Sequence, residues 1–179
     1  MSGSRNNICL IGYMGSGKST VGKELAERLG MTFRDTDEII VESQGRSIPE
    51  IFREEGEPYF RELEHGLVQS FAEDERLRDT VLSTGGGIII NEDNRRLLKK
   101  IGCVVYLRAS AQSLYERVKG DEGRPLLNTE DVYGRIKDML KQRSPMYEEA
   151  AVHIIDTDGL SVDETVKAVA AAAGYDALK

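Results

Sequence analysis

The chain has 179 residues, of which 40% are hydrophobic and 31% charged, and a formal net charge of −7. That is about one domain's worth of chain, enough to bury a core, and the acidic balance argues against nonspecific binding to a nucleic acid backbone or an anionic membrane. No apolar run approaches the ~18 residues that span a bilayer and Met1 to Asn7 hold no apolar stretch for a signal peptide, so the cytoplasm is the expected compartment. Cys9 and Cys103 lie in apolar strand-like runs without metal-ligand spacing, which predicts buried free thiols. His65 and His153 are far apart and read as ordinary surface or strand-end residues.

Ile8-Cys9-Leu10-Ile11 reads as a first strand, followed by Gly12-Tyr13-Met14-Gly15-Ser16-Gly17-Lys18-Ser19. The glycines at 12, 15 and 17 let the backbone curl with its N–H groups turned inward, Lys18 adds a mobile positive charge, and Ser19 opens the next helix with a hydroxyl placed to hold Mg²⁺. A plain turn between strand and helix would not need all eight residues, so nucleotide binding is expected there. Val21, Leu25, Ala26 and Leu29 have helical spacing up to a stop at Gly30. Met31 to Asp35 reads as a second strand ending in the acidic pair Asp35 and Asp37, after which Glu38 to Glu42 turns helical. Ser47 with Glu50 forms a capping box for a short helix through Phe52. A longer amphipathic helix follows Gly56-Glu57-Pro58 and carries Phe60, Leu63, Leu67, Val68 and Phe71, ending in the charged run Glu73 to Asp79.

Thr80 to Thr84 is a third strand running into Gly85-Gly86-Gly87, a triplet suited to close approach of backbone and ligand. Helices are expected over Asn91 to Lys100 and Ser110 to Val118, with the apolar strand Cys103 to Leu107 between them. The pattern stops from Lys119 to Glu130, where an exposed loop and a mobile lid both fit. A long helix runs from Asp131 to Glu149, interrupted or ended near Ser144-Pro145, and then come a strand from Val152 to Asp156 and an Ala-rich helix from about Ser161. Apolar strands without alternation, each followed by a helix, predict an α/β fold with a five-stranded parallel sheet covered on both faces. Ligands in such folds sit at the carboxyl ends of the strands, so the phosphate loop, Asp35 to Asp37, Gly85 to Gly87 and Arg108 are expected along one rim.

Together Gly12 to Ser19, Asp35-Thr36-Asp37, Gly56-Glu57 leading to Phe60-Arg61 and Glu64, Ser83 to Gly87, Arg124-Pro125-Leu126-Leu127 and Arg143-Ser144-Pro145-Met146-Tyr147 resemble the shikimate kinase family over nearly the whole chain. The resemblance implies a single P-loop kinase domain over 1–179, with an acceptor-binding helical region at about 36–64 and a lid at about 119–130. It implies transfer of the γ-phosphoryl group of ATP to the 3-hydroxyl of shikimate, in aromatic amino-acid biosynthesis, with ATP as co-substrate and one Mg²⁺ per subunit. Gly15, Ser16, Gly17, Lys18, Ser19 and Thr20 would hold the nucleotide phosphates, Arg117 would stack on adenine, and the lid residue Arg124 would join Lys18 around the transferring oxygens. Ser19 and Asp35 would hold the metal, Asp35 through water. Asp37 would hold the reacting hydroxyl, as proton acceptor or positioning group; taken alone it would read as well as the cap of the next helix.

By the same resemblance Arg61 and Arg143 clamp the shikimate carboxylate, with Gly85 and Gly86 offering backbone N–H groups, Gly87 also among the substrate-binding residues, Glu64 orienting Arg61, and Phe52 and Phe60 walling the ring; taken alone, the two phenylalanines read equally as plain core. Arg61 alone reads equally as a helix-surface partner of Glu64. Asp156-Thr157-Asp158-Gly159 resembles the family's adenine-side loop, with Val162 where many relatives carry proline. Small molecules are the expected partners, without nucleic acid or membrane, and a monomer the expected state. Kinases of gluconate, nucleosides or nucleoside monophosphates share the phosphate loop and lid, and a regulatory ATPase or a catalytically silent homologue share the loop alone; the arginine and glycine set suits a small carboxylate better than a base.

Overall fold

The computed structural model describes residues 6–119 and 130–175. Among these residues the strands are β1 (Ile8–Ile11), β2 (Thr32–Asp35), β3 (Thr80–Ser83), β4 (Cys103–Arg108) and β5 (His153–Asp156). They form one sheet in the order β2-β3-β1-β4-β5, and every pairing is parallel. The α-helices are α1 (Lys18–Leu29), α2 (Thr36–Gln44), α3 (Ile48–Glu54), α4 (Glu57–Glu73), α5 (Glu92–Ile101), α6 (Ala111–Val118), α7 (Val132–Ala150) and α8 (Val162–Ala172). A short 3₁₀ turn over Ile88–Ile90, not foreseen from the sequence, links the glycine triplet to α5.

β1, the central strand, is buried along its whole length, which explains its unbroken apolar run. Two cores flank the sheet. Cys9, Ile11, Val68, Leu82, Leu98, Val104 and Tyr147 belong to one, so it lies under α4, α5 and α7. Ile8, Leu10, Val21, Leu25, Val105, Leu107 and Val166 belong to the other, under α1 and α8. Both cysteines are free thiols, Cys9 buried and Cys103 half-buried, and burial pushes both thiols up from their ordinary range.

Several helix ends follow their local chemistry. Gly30 stops α1 in a left-handed conformation at φ 66°, and its N–H returns to the carbonyls of Ala26 and Glu27. Ser47 with Glu50 and Ser161 with Glu164 are complete capping boxes. Two boundaries differ from expectation. Helix α2 starts at Thr36, because the Asp35 carboxylate itself caps it, accepting from the N–H groups of Asp37 and Glu38. Helix α7 runs unbroken through Pro145. An interior proline costs ~3 kcal/mol, but Arg143, Tyr147 and Ala150 around it are buried against the body of the protein, and that burial holds the helix together. Residues 120–129 of the proposed lid, Arg124 included, lie outside the described residues.

Candidate active site

Strand register brings the site together. Asp35 of β2 stands beside Ser83 of β3, and Ser83 beside Leu10 of β1, so the second and third strand ends flank the loop that leaves β1. In that loop the Ser16 N–H donates to the Tyr13 carbonyl at 3.1 Å. Gly15 has φ 80°, and a Cβ there would stand 2.6 Å from Cγ1 of Val118 on α6, so conformation and space both demand glycine. No side chain caps α1 and no acidic residue sits in its first turn, which leaves its amide-rich, positive end for an anion. The buried Lys18 ammonium meanwhile donates to the carbonyls of Gly12 (2.8 Å) and Tyr13 (2.9 Å).

A cavity of about 450 Å³ opens above this loop, lined by Lys18, Ser19, Thr20, Asp35, Asp37 and Gly86, with Arg117 at one side. Ser19 Oγ donates to Asp35 Oδ2 at 2.7 Å and lies 3.3 Å from Ser83 Oγ. The other oxygen of Asp35 accepts from the Asp37 N–H at 2.9 Å and so caps α2. Capping is therefore the work of Asp35, and Asp37 lines the cavity. A hydroxyl and a carboxylate beside a phosphate-binding loop form an all-oxygen donor set. It fits a hard divalent cation, above all Mg²⁺, which takes few protein ligands and keeps its other positions for water and phosphate. Arg117 is exposed on α6 and donates from Nη1 to the Gly15 carbonyl at 3.3 Å.

The glycine triplet after β3 is the hub of the other half of the site. A Cβ on Gly85 would stand 2.7 Å from both Asp37 Oδ1 and Glu64 Oε1, so two carboxylates from α2 and α4 close on this one residue. A Cβ on Gly87 would lie 2.3 Å from Nη1 of Arg61, and one on Gly86 would lie 3.1 Å from the Met14 amide nitrogen of the phosphate loop. Any side chain here would displace a charged group or the loop. The Gly85 N–H donates to Thr36 Oγ1 at 3.0 Å.

Arg61 donates through Nη1 to Glu64 Oε2 at 2.5 Å and through Nη2 to Glu57 at 2.8 Å. The pair is no surface decoration, for Glu64 is 1% exposed. Phe60 lies under the Arg61 guanidinium at 5.5 Å and packs on Phe52 at 5.2 Å between ring centroids. Arg143 of α7 is buried too, and its Nη1 has no hydrogen-bond partner among the described residues. Arg61, Glu64 and Arg143 do not line the cavity over the phosphate loop; Arg61 and Glu64 pack against Gly87 and Gly85 at its edge. Thr36 and Tyr147 lie inside the motifs named above, and spacing along the chain gives no sign of what they hold. Thr36 holds Gly85, and the Tyr147 hydroxyl donates to the Gly86 carbonyl. Arg108, expected on the same rim, is committed to a two-pronged ion pair with Asp156 at 2.5 and 2.8 Å.

Burial pushes the Glu64 carboxyl up to about 7, against the opposing pull of Arg61; Asp37 adds to the rise and Arg143 opposes it. Its ordinary value is 4.5, so the folded protein holds more protons than the unfolded chain between about pH 4.5 and 7. The stability conferred by this proton is fully present below pH 4.5 and lost as pH rises through 7. Glutamine mimics the protonated acid. The melting temperature of Glu64→Gln relative to wild type should therefore climb from pH 4.5 to 7 and level off above. A flat or falling difference in thermal denaturation would show that Glu64 stays ionised throughout.

Comparison with known proteins agrees with this geometry. A sequence profile of the family described as shikimate kinase matches residues 14–173. A shikimate kinase of Thermodesulfovibrio yellowstonii is 42% identical over 163 residues, covering 91% of this chain and 92% of that protein. One of Legionella pneumophila strain Corby is 45% identical over 164 residues, covering 92% of this chain and 90% of that protein. The solved structure of shikimate kinase from Acinetobacter baumannii in complex with shikimate superposes with a TM-score of 0.89 at 38% identity, covering 97% of this chain and 95% of that one. The profile runs from within the phosphate loop through α8, and the matched structure shares the fold over nearly the whole of both chains; on these grounds the chain belongs to the shikimate kinase family.

Proposed function

We propose that the chain transfers the γ-phosphoryl group of ATP to the 3-hydroxyl of shikimate, giving shikimate 3-phosphate and ADP, in aromatic amino-acid biosynthesis. The observation that carries this reading is the packing of Asp37, Glu64 and Arg61 around Gly85 and Gly87 while Gly86 touches the phosphate loop. An anionic acceptor bound there lies directly beside bound triphosphate. Planar guanidinium groups pair two-pronged with a carboxylate, so Arg61 and Arg143 bind the shikimate carboxylate and Glu64 keeps Arg61 in position. Asp37 then faces the hydroxyl and takes its proton as the new O–P bond forms and the bond to the ADP oxygen breaks.

Phosphoryl transfer asks the protein for charge neutralisation and in-line placement more than for covalent chemistry. Gly15, Ser16, Gly17 and Thr20 cradle the phosphates, and Lys18 exchanges its loop carbonyls for the phosphate oxygens. Arg117 packs on the adenine, and by family resemblance Arg124 closes over the transferring group from a lid at about 119–130. Ser19 and Asp35 would hold Mg²⁺, which when bound neutralises phosphate charge. The acceptor region is the helical segment at about 36–64, within a single kinase domain acting as a cytoplasmic monomer. No helix among the described residues is long and apolar enough to cross a membrane.

A coupled ADP-release assay with ATP and Mg²⁺ tests the reading, with shikimate run beside gluconate, a panel of nucleoside monophosphates and a no-acceptor control. Turnover with shikimate alone is expected. Turnover with a nucleoside monophosphate would discard the carboxylate clamp, turnover with gluconate would keep a carboxylate site but change the acceptor, and ATP binding without turnover would make the chain a silent homologue.

A further inference from the structure

Tyr147 is fully buried on α7, one helical turn beyond Arg143, and its ring stacks on Tyr106 of β4 with centroids 4.8 Å apart and planes 20° apart. Its hydroxyl has two polar neighbours: it donates a hydrogen bond to the Gly86 carbonyl, and the charge of the Arg143 guanidinium acts on it from one turn earlier on the helix. The ring alone would fill this space and keep the stack. A buried hydroxyl is tolerated only when its bonds are made, so the oxygen is here for what it connects. One partner, Gly86, lies against the phosphate loop, 3.1 Å from the Met14 amide nitrogen by its would-be Cβ. The other, Arg143, keeps Nη1 buried without a hydrogen-bond partner among the described residues, a donor for an anion. Burial raises the phenol far above its ordinary range, so it stays a neutral donor and acceptor at any working pH.

We propose that the Tyr147 hydroxyl is a positioning group for the acceptor site, fixing the Arg143 guanidinium and the Gly86-Gly87 peptide as one unit against the phosphate loop. A planar trans peptide points its C=O and N–H in opposite directions, so holding the Gly86 carbonyl toward Tyr147 turns the Gly87 N–H the other way. A polar oxygen beside the guanidinium favours one orientation of it, which is what a two-pronged bond to a carboxylate requires. The inference rests on the reading of Arg143 as part of the carboxylate clamp, and deepens it.

Steady-state kinetics with ATP and shikimate test it on wild type, Tyr147→Phe, Tyr106→Phe and Arg143→Lys. Tyr147→Phe is expected to raise KM for shikimate by ~10-fold, the loss expected when the buried hydroxyl that orders the acceptor site is removed. Its kcat at saturating shikimate and its KM for ATP should stay within ~2-fold of wild type, a split that general loosening of the fold would not produce. Tyr106→Phe removes a hydroxyl from the same stack without touching Gly86, and should leave KM for shikimate unchanged. An amine at the same place, introduced as 4-aminophenylalanine at 147, can donate and accept and should bring KM for shikimate back to within ~3-fold of wild type. A Tyr147→Phe enzyme with wild-type KM for shikimate overturns the inference, as does an equal rise in Tyr106→Phe. If the Phe variant does not fold, an amine variant that shifts KM for ATP and not for shikimate overturns it as well. Should Arg143→Lys leave KM for shikimate unaltered, the clamp reading itself fails. A wild type that ignores shikimate removes the proposed function.

Discussion

Replacing Asp37 with asparagine should lower kcat by about 10²- to 10⁴-fold, the range that a positioned proton acceptor contributes. Nucleotide binding should survive in that variant. The substitution keeps shape and removes charge, and the fold does not depend on this carboxylate for a cap, because Asp35 supplies that bond to the Asp37 and Glu38 N–H groups. Asp37 lines the same cavity as Gly86 and the phosphate loop. Its closeness to Gly85 also puts it at the point where the acceptor region meets the loop. The check is a pair of measurements on one sample, turnover by ADP release and nucleotide affinity by calorimetry. Unaltered turnover would remove Asp37 from the proton-transfer role, and an equal loss of nucleotide affinity would make it a structural residue of the loop.

Lys18→Met should cost ~10²- to 10³-fold in kcat, the effect of deleting one charged group aimed at developing transition-state charge. Methionine fills much of the same volume but cannot neutralise phosphate. Before nucleotide binds, the ammonium is held by the carbonyls of Gly12 and Tyr13, which keeps it buried and close to the loop. That arrangement spares the lysine a large entropic loss on engaging phosphate, since the stem is already ordered. It also predicts a second effect. Removing the ammonium leaves two loop carbonyls without their donor, a loss of roughly 1–3 kcal/mol that thermal denaturation of the unliganded protein would register. A variant with normal kcat and a lowered melting temperature would make Lys18 a loop brace and not a phosphate ligand.

Much of the fold was legible because it is written in local chemistry. The apolar runs of β1 and β4, the glycine stop at 30 and the capping box at Ser47 each depend on residues within a few positions of one another, so their spacing specifies them. The start of α2 was misread by two residues, because two acids at i and i+2 compete to cap one helix. Only the path of the chain after β2 decides that Asp35 wins. Pro145 is an opposite case. Its local preference is to break a helix, and burial of Arg143, Tyr147 and Ala150 overrides it.

The sequence by itself determined the parallel α/β architecture, the phosphate loop and the identity of the charged residues around it, since strand, loop and helix are contiguous there and each residue's role follows from its neighbours. The tertiary structure alone decided what each of those groups meets. It set the Gly85 N–H against Thr36 and Arg108 against Asp156, and turned an ordinary helical Arg61–Glu64 pair into a buried one whose carboxyl is pushed up to about 7. It also joined Tyr147 to Gly86, 61 residues away. The reason is physical: hydrogen-bond commitment and burial depend on what distant segments bring to the same place, and spacing along the chain carries no record of that.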